Sequence, residues 1–190
     1  MPTRLLRETA DFLAIADISP LVVGHIIVVP RRHLLSFGAI PDVHRPQLGT
    51  LVADLSATLI EHVGVPVLLE HGTDSASDGG GCVSHAHLHL VPAALDWREP
   101  LARYRLTEVS SLDELSYWAE RDRPYIYAGA PSGAGLVADE LIDIPKQYLR
   151  IEIARQLGLP GRVWDWRQHI LSDNLTETVA LFQSREGAVQ

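Results

Sequence analysis

The sequence predicts an α+β fold: an antiparallel sheet meander with one long helix in the first half, followed by an α/β extension packed on it. Three observations carry this expectation. Short runs rich in aliphatic and β-branched residues are bounded by turn residues, residues 47–63 carry apolar side chains at spacings of three and four, and the connections are short enough for antiparallel pairing.

The elements follow in chain order. Residues 11–16, "DFLAIA", and 21–29, "LVVGHIIVV", are separated by "DISP", whose Asp17, Ser19 and Pro20 carry turn chemistry, so they form a hairpin candidate. Leu48, Leu51, Val52, Leu55, Leu59 and Val63 mark an amphipathic helix with one buried stripe, and Pro46 suits its first turn. "VPVLLEH" then reads as a strand, "GTDSASDGGG" as a small polar loop, and "VSHAHLHLVP" as a strand closing at Pro92. Beyond residue 100 the texture changes. Ser110 or Ser111 suits the cap of a helix through "LDELSYWAERD", "PYIYAGA" reads as a strand, and "PKQYLRIEIARQLGLP" reads as a helix stopped by Gly158 and Pro160. Asn174 and Glu177 have the spacing of a capping box for a last helix. Two regions are expected, 1–100 and 101–190, the second packed against the first.

Composition bounds the class. Hydrophobic residues make up 46% and charged residues 21% of the 190, ordinary values for a globular fold. A net charge of -8 argues against a nucleic-acid surface, which needs clustered Lys and Arg. Cys82 is the only cysteine, so an intrachain disulfide and a four-cysteine zinc site are both excluded. The most apolar stretch, "LVVGHIIVVP", is too short to span a bilayer, and no basic-then-apolar leader pattern opens the chain, so a soluble cytoplasmic protein with no membrane partner is expected.

"VSHAHLHLVP" places His85, His87 and His89 at strict alternation, on one face of a strand. Three readings compete. One metal ion does not reach all three, because the outer pair of a regular strand lies ~13 Å apart and metal bonds are near ~2 Å, but two of them could bind zinc with a third ligand from elsewhere. A purely structural role as hydrogen-bonded core histidines is the second. The third is chemical: a central imidazole acts as nucleophile or base while its neighbours orient it and handle protons.

"HAHLHLV" at 85–91 resembles the signature of the histidine triad (HIT) superfamily of nucleotide hydrolases and transferases. "DISPLVVGHIIVVPRRH" at 17–33 is similar to the corresponding segment of its Hint-like branch, and "DGGGCVSH" to the loop before the triad. The resemblance covers roughly residues 10–97. It implies that His87 attacks the α-phosphorus of a nucleotide conjugate and forms a covalent nucleotidyl-histidine, that His89 contacts phosphate or assists the leaving group, and that His85 supports the nucleophile. It further implies that Asp17 accepts hydrogen bonds from ribose hydroxyls, that His25 stands beside the nucleotide, and that the backbone from Cys82 through Val83 to Ser84 cradles phosphate; the apolar Phe12, Leu13, Ile15 and Ile18 are candidates to sandwich the base, with plain core packing as the competing reading. A homodimer with joined sheets, a small nucleotide substrate, no cofactor and no metal are implied as well. His89, where transferase branches carry Gln, favours hydrolysis of a phosphoramidate, mixed anhydride or dinucleoside polyphosphate. The alternatives are transfer or phosphorolysis, and nucleotide binding without catalysis.

Departures from the pattern fall on the leaving-group side. The Hint-like branch has Asn-Glu-Gly where this chain has Glu70, His71 and Gly72, so Glu70 or His71 is expected to replace the Asn. In the extension, Arg150, Lys146 or Gln147 is a candidate for the distal phosphate, since a guanidinium fork suits phosphate oxygens. The competing reading makes these residues a solvated helix face, with Trp164 and Trp166 as anchors.

Overall fold

A computed structural model describes residues 3–73 and 84–183. β2 (Phe12–Ala16) and β3 (Ile26–Pro30) bury every second residue, as strands with one face on a core must. They form the expected hairpin, with Phe12 opposite Pro30 and Ala16 opposite Ile26. The second strand starts five residues later than the apolar run suggested, because the chain turns first at Gly24. Its φ is +84°, and a Cβ there would stand 2.8 Å from Leu59 Cδ2. β1 (Leu5–Glu8), which the sequence did not announce, pairs with the outer edge of β2.

α1 (Arg45–His62) forms with Pro46 in its first turn and Leu48, Leu51, Val52, Leu55 and Leu59 buried as predicted, whereas Val63, expected in the same stripe, falls past the helix end and is exposed. β4 (Val67–Gly72) and β5 (Leu88–Val91) follow. The regular histidine strand is shorter than expected: it opens at Leu88, so His85 and His87 lie on its approach.

The C-terminal half contributes α2 (Arg98–Leu101), β6 (Arg105–Val109), α3 (Ser116–Ala119), β7 (Tyr125–Gly129), β8 (Gly135–Asp139), α4 (Tyr148–Gln156) and α5 (Ser172–Gln183). Two capping expectations are corrected. The helix through 112–122 is a 3-10 turn, Leu112–Leu115, followed by the short α3, and the Ser111 side chain caps nothing; Glu114 instead accepts the Ser110 N–H at 2.9 Å. Asn174 lies inside α5, and its amide donates to the Pro20 carbonyl at 2.8 Å.

The strands form a single antiparallel sheet in the order β1-β2-β3-β5-β4-β7-β8-β6. β7 pairs with β4, Glu70 opposite Tyr127, so the C-terminal half extends the sheet of the first. The sheet ends at β1 and β6. One face packs Phe12, Ile26, Val28, Leu88 and Leu90 against α1 and α5. The other packs Leu69, Val91 and Ile126 against α2 and α4. No helix among the described residues is long and apolar enough to cross a membrane.

The seam between the halves is polar at one point. Glu70, fully buried, accepts the Phe37 N–H and the Tyr125 hydroxyl, both at 2.6 Å, while Gly38 N–H donates to the Tyr125 oxygen at 3.1 Å. Burial, only partly offset by these bonds, pushes the Glu70 carboxyl up to about 7. Gly72 makes room for the tyrosine ring, since a Cβ there would come within 2.5 Å of it. Tyr125→Phe leaves the Glu70 carboxyl and the Gly38 N–H short of a partner, which costs about 1–3 kcal/mol. Urea unfolding measures this; an unchanged midpoint would separate the hydroxyl from the core.

Candidate functional site

The site lies on the sheet face covered by α2 and α4, and strand alternation decides which side chains reach it. In β5, Leu88 and Leu90 enter the α1 core, so His89 between them faces the other way, opposite Ile27 on β3 and Leu69 on β4. The same alternation turns Leu13, Ile15, Ile27 and Val29 toward the histidine face, where all four are half-buried beside buried neighbours on the core side. Asp17 and His25 stand at the end of β2 and the start of β3, linked by the Asp17 N–H to the His25 carbonyl at 3.2 Å.

Main-chain groups decide where the imidazole protons sit. A carbonyl only accepts, so a ring nitrogen facing one must carry hydrogen. His87 Nδ1 lies 2.8 Å from the His85 carbonyl and donates to it, which leaves Nε2 with a bare lone pair. His85 Nε2 donates to the Pro30 carbonyl at 2.7 Å, and His33 Nε2 to the Ser84 carbonyl at 2.6 Å. His25 Nδ1 accepts the Leu21 N–H at 3.4 Å, so its Nε2 carries the proton and donates to His89 Nδ1 at 2.9 Å. His89 Nε2 is therefore an N–H donor. The rings of His87 and His89 have centroids 5.1 Å apart and stand nearly perpendicular.

Burial keeps these rings neutral. It lowers His25 to about 4, despite the nearby Asp17 carboxylate, and lowers His87 despite the bond to the His85 carbonyl. His89 falls well below the ordinary histidine value through burial and the neighbouring His87 and His25. Burial alone would raise Asp17, but the surrounding His25 and Arg150 outweigh it and hold the carboxyl well below the usual range. With His25 uncharged near neutral pH, Arg150 is the standing counter-charge, its Nη1 2.8 Å from Asp17 Oδ1.

Asp17, His25 and His89 bring three potential metal-ligand atoms within 4.8 Å of one another. The arrangement is nevertheless that of a hydrogen-bond chain. The two imidazole nitrogens already share a proton at 2.9 Å, and the Arg150 guanidinium beside Asp17 opposes a second cation.

Several sequence-predicted residues are relocated. Phe12, 1% exposed, and Glu70 lie on the opposite face in the α1 core, so neither the base-stacking expectation for Phe12 nor the leaving-group expectation for Glu70 fits the fold. Arg150 is neither a phosphate ligand nor part of a solvated helix face: it is 5% exposed and bonded entirely within the protein. Gln147 is buried at the start of α4 in a left-handed conformation. His71 falls on the histidine face by alternation from Leu69, Ile18 is half-buried beside Asp17, and Ser84 is exposed. Cys82 and Val83 lie outside the described residues. Ile27 and Val29 were missed, although period two within "HIIVVP" marks them as partners of Leu13 and Ile15.

Residues 1–94 match the HIT domain family. An adenosine 5'-monophosphoramidase of Candida albicans is 28% identical over 99 residues, 48% of this chain and 62% of that one. An uncharacterized HIT-like protein of Saccharolobus solfataricus is 32% identical over 83 residues, 42% of this chain and 57% of that one. The match to an uncharacterized HIT-like protein of Mycoplasma genitalium, 29% identical over 87 residues, takes in 46% of this chain and 61% of the relative. The chain thus spans about six-tenths of the length of these relatives. Among solved structures, a hypothetical protein from Leishmania major is 25% identical with a TM-score of 0.43, over 64% of this chain and 84% of its own.

Neutral burial has a cost that acid reveals. His25 binds its proton near pH 6.5 when unfolded and at about 4 when folded, so its contribution to stability is full above 6.5 and drains away as pH falls toward 4. The loss is on the order of 3 kcal/mol for this residue. In denaturant titrations between pH 7 and 4, His25→Gln flattens the curve by that amount; parallel curves would contradict a buried neutral imidazole.

Proposed function

We infer, for a chain that belongs to the HIT superfamily through residues 1–94, a nucleotide hydrolase acting at the α-phosphorus of a nucleoside 5'-phosphoramidate, mixed anhydride or dinucleoside polyphosphate. The observation that carries this reading is the half-buried His87 ring, whose Nδ1–H is spent on the His85 carbonyl and whose Nε2 is bare and neutral. Such a nitrogen is a nucleophile at neutral pH without first losing a proton. The relative named as an adenosine 5'-monophosphoramidase supports the phosphoramidate among these substrates.

In the proposed reaction His87 Nε2 bonds to the α-phosphorus as the bond to the leaving nitrogen or oxygen breaks. The leaving atom departs with the bonding pair and a proton taken from solvent, for a phosphoramidate as ammonia, and the water of the second step returns a proton to solvent. Positive charge on the nucleotidyl-imidazole is stabilised through Nδ1–H and the His85 carbonyl. His89 Nε2–H donates to a non-bridging phosphate oxygen, where charge builds in the transition state. Water then attacks phosphorus, the electron pair returns to His87 Nε2, and a nucleoside monophosphate leaves. The half-buried strip of Leu13, Ile15, Ile18, Ile27 and Val29 takes the place of Phe12 as the apolar support for the base.

Phosphorus NMR of the protein with adenosine 5'-phosphoramidate tests the reading. The native chain releases AMP, and His87→Ala lowers the rate by roughly a thousandfold or more while the fold is retained. Equal rates in the two proteins would remove His87 from the chemistry. No turnover by the native chain would leave binding without catalysis as the better account.

A further inference from the structure

The leaving atom of the proposed reaction needs a proton, and the rings of the His25–His89–His87 cluster have none to give. His87 spends its Nδ1–H on the His85 carbonyl and attacks through its other nitrogen, while His25 spends its Nε2–H on His89. Burial holds all three rings neutral. A neutral imidazole that surrendered its one N–H would become an anion in a low-dielectric site, at high cost. Solvent, or a ring that exchanges protons with it, is the remaining source.

His71 meets that requirement beside His87. β4 and β5 pair with Val67 opposite Val91 and Leu69 opposite His89. The same register carried two residues on sets His71 across from His87, on the histidine face. Beyond the ladder both chains are held by one short segment, the Thr73 N–H donating to the Leu35 carbonyl at 3.3 Å and the Ala86 N–H to the Leu34 carbonyl at 2.7 Å. His71 and His87 therefore lie between two tethers. On the other flank of His87 runs β3, with Ile27 opposite His89 and then Val29, part of the apolar strip for the base. His85, also half-buried, donates to the Pro30 carbonyl on that β3 flank. Glu70, the other departure from Asn-Glu-Gly, faces the α1 core and bonds to Tyr125. His71 is half-buried, and its backbone is set by β7, where Ile126 is its partner.

We propose that His71 carries the proton for both steps of the reaction, so that the site is built for leaving groups too basic to depart unprotonated, amines above all. As imidazolium it donates to the leaving nitrogen or oxygen while the bond to phosphorus breaks and the electron pair goes with the leaving atom. Left neutral, it takes a proton from the water whose oxygen then bonds to phosphorus. The electron pair of the phosphorus–His87 bond returns to Nε2, and His71 is an imidazolium again. The two proton exchanges with solvent are thereby gathered on one ring, and the ordinary titration range of histidine, near neutral pH, suits both roles. This assignment rests on the hydrolase reading.

The test uses the full chain and two substrates that share AMP and differ in leaving group. Adenosine 5'-phosphoramidate loses an amine that needs a proton; the para-nitrophenyl ester of AMP loses a nitrophenolate that does not. In His71→Gln, steady hydrolysis of the phosphoramidate is expected to fall roughly a hundredfold or more. The same variant is expected to release its first equivalent of nitrophenolate within about threefold of the native rate and then to stall, as the nucleotidyl-His87 form accumulates in the mass spectrum of the intact protein. His71→Asn is expected to behave alike, and phosphoramidate hydrolysis at the native rate in either variant overturns the proposal. Equal losses on both substrates, the first equivalent included, would make His71 a structural neighbour of His87 and overturn it as well. If the native chain hydrolyses neither compound, the hydrolase reading fails and the proposal falls with it; turnover indifferent to His71 removes the proposal alone.

Discussion

The His85 carbonyl can accept a hydrogen bond but never donate one, and His87 Nδ1 stands 2.8 Å from it. That single constraint decides the tautomer of the central ring and leaves Nε2 as a free lone pair. The Leu21 N–H acts in the complementary sense on His25, and through His25 it decides the tautomer of His89. One nitrogen is thereby made basic and its neighbour made a donor, using main-chain groups that cannot change their protonation. Burial reinforces the assignment by keeping the rings neutral, which the proposed attack by His87 requires.

This arrangement needs a sheet that holds the approach to β5 against β3, and the C-terminal half helps supply it. β7 closes the edge of β4, Tyr125 reaches back to Glu70, and α4 sends Arg150 to Asp17 behind the His25–His89 pair. The second half of the chain is therefore structurally continuous with the first. The two buried carboxyl groups it meets, Glu70 and Asp17, each receive two donors, which offsets the cost of placing them in a core.

Much of the site was legible because it is written in local patterns. Alternation in "HAHLHLV" exposed the triad, the spacing of Leu48, Leu51, Leu55 and Leu59 exposed α1, and the turn chemistry of "DISP" exposed the hairpin. What escaped depends on contacts far apart in sequence. β1, β6 and β8 are short strands whose identity comes from their partners, and "RLTEV" by itself reads as a polar connection. Phe12 was expected as an apolar wall for the base and Glu70 as a replacement for the Asn of Asn-Glu-Gly, whereas period two turns both toward the α1 core. Arg150 is separated from Asp17 by 133 positions, and nothing local distinguishes a buried ion-pair arginine from a solvated one.

The central claim is that His87 is held neutral with its proton on Nδ1. Long-range proton–nitrogen correlation of the imidazole rings at neutral pH, with His87 assigned by its disappearance in His87→Ala, tests it directly. The account predicts a protonated, pyrrole-like Nδ1 and a bare, pyridine-like Nε2 for His87. A proton on Nε2, or an imidazolium with both nitrogens protonated, would contradict it.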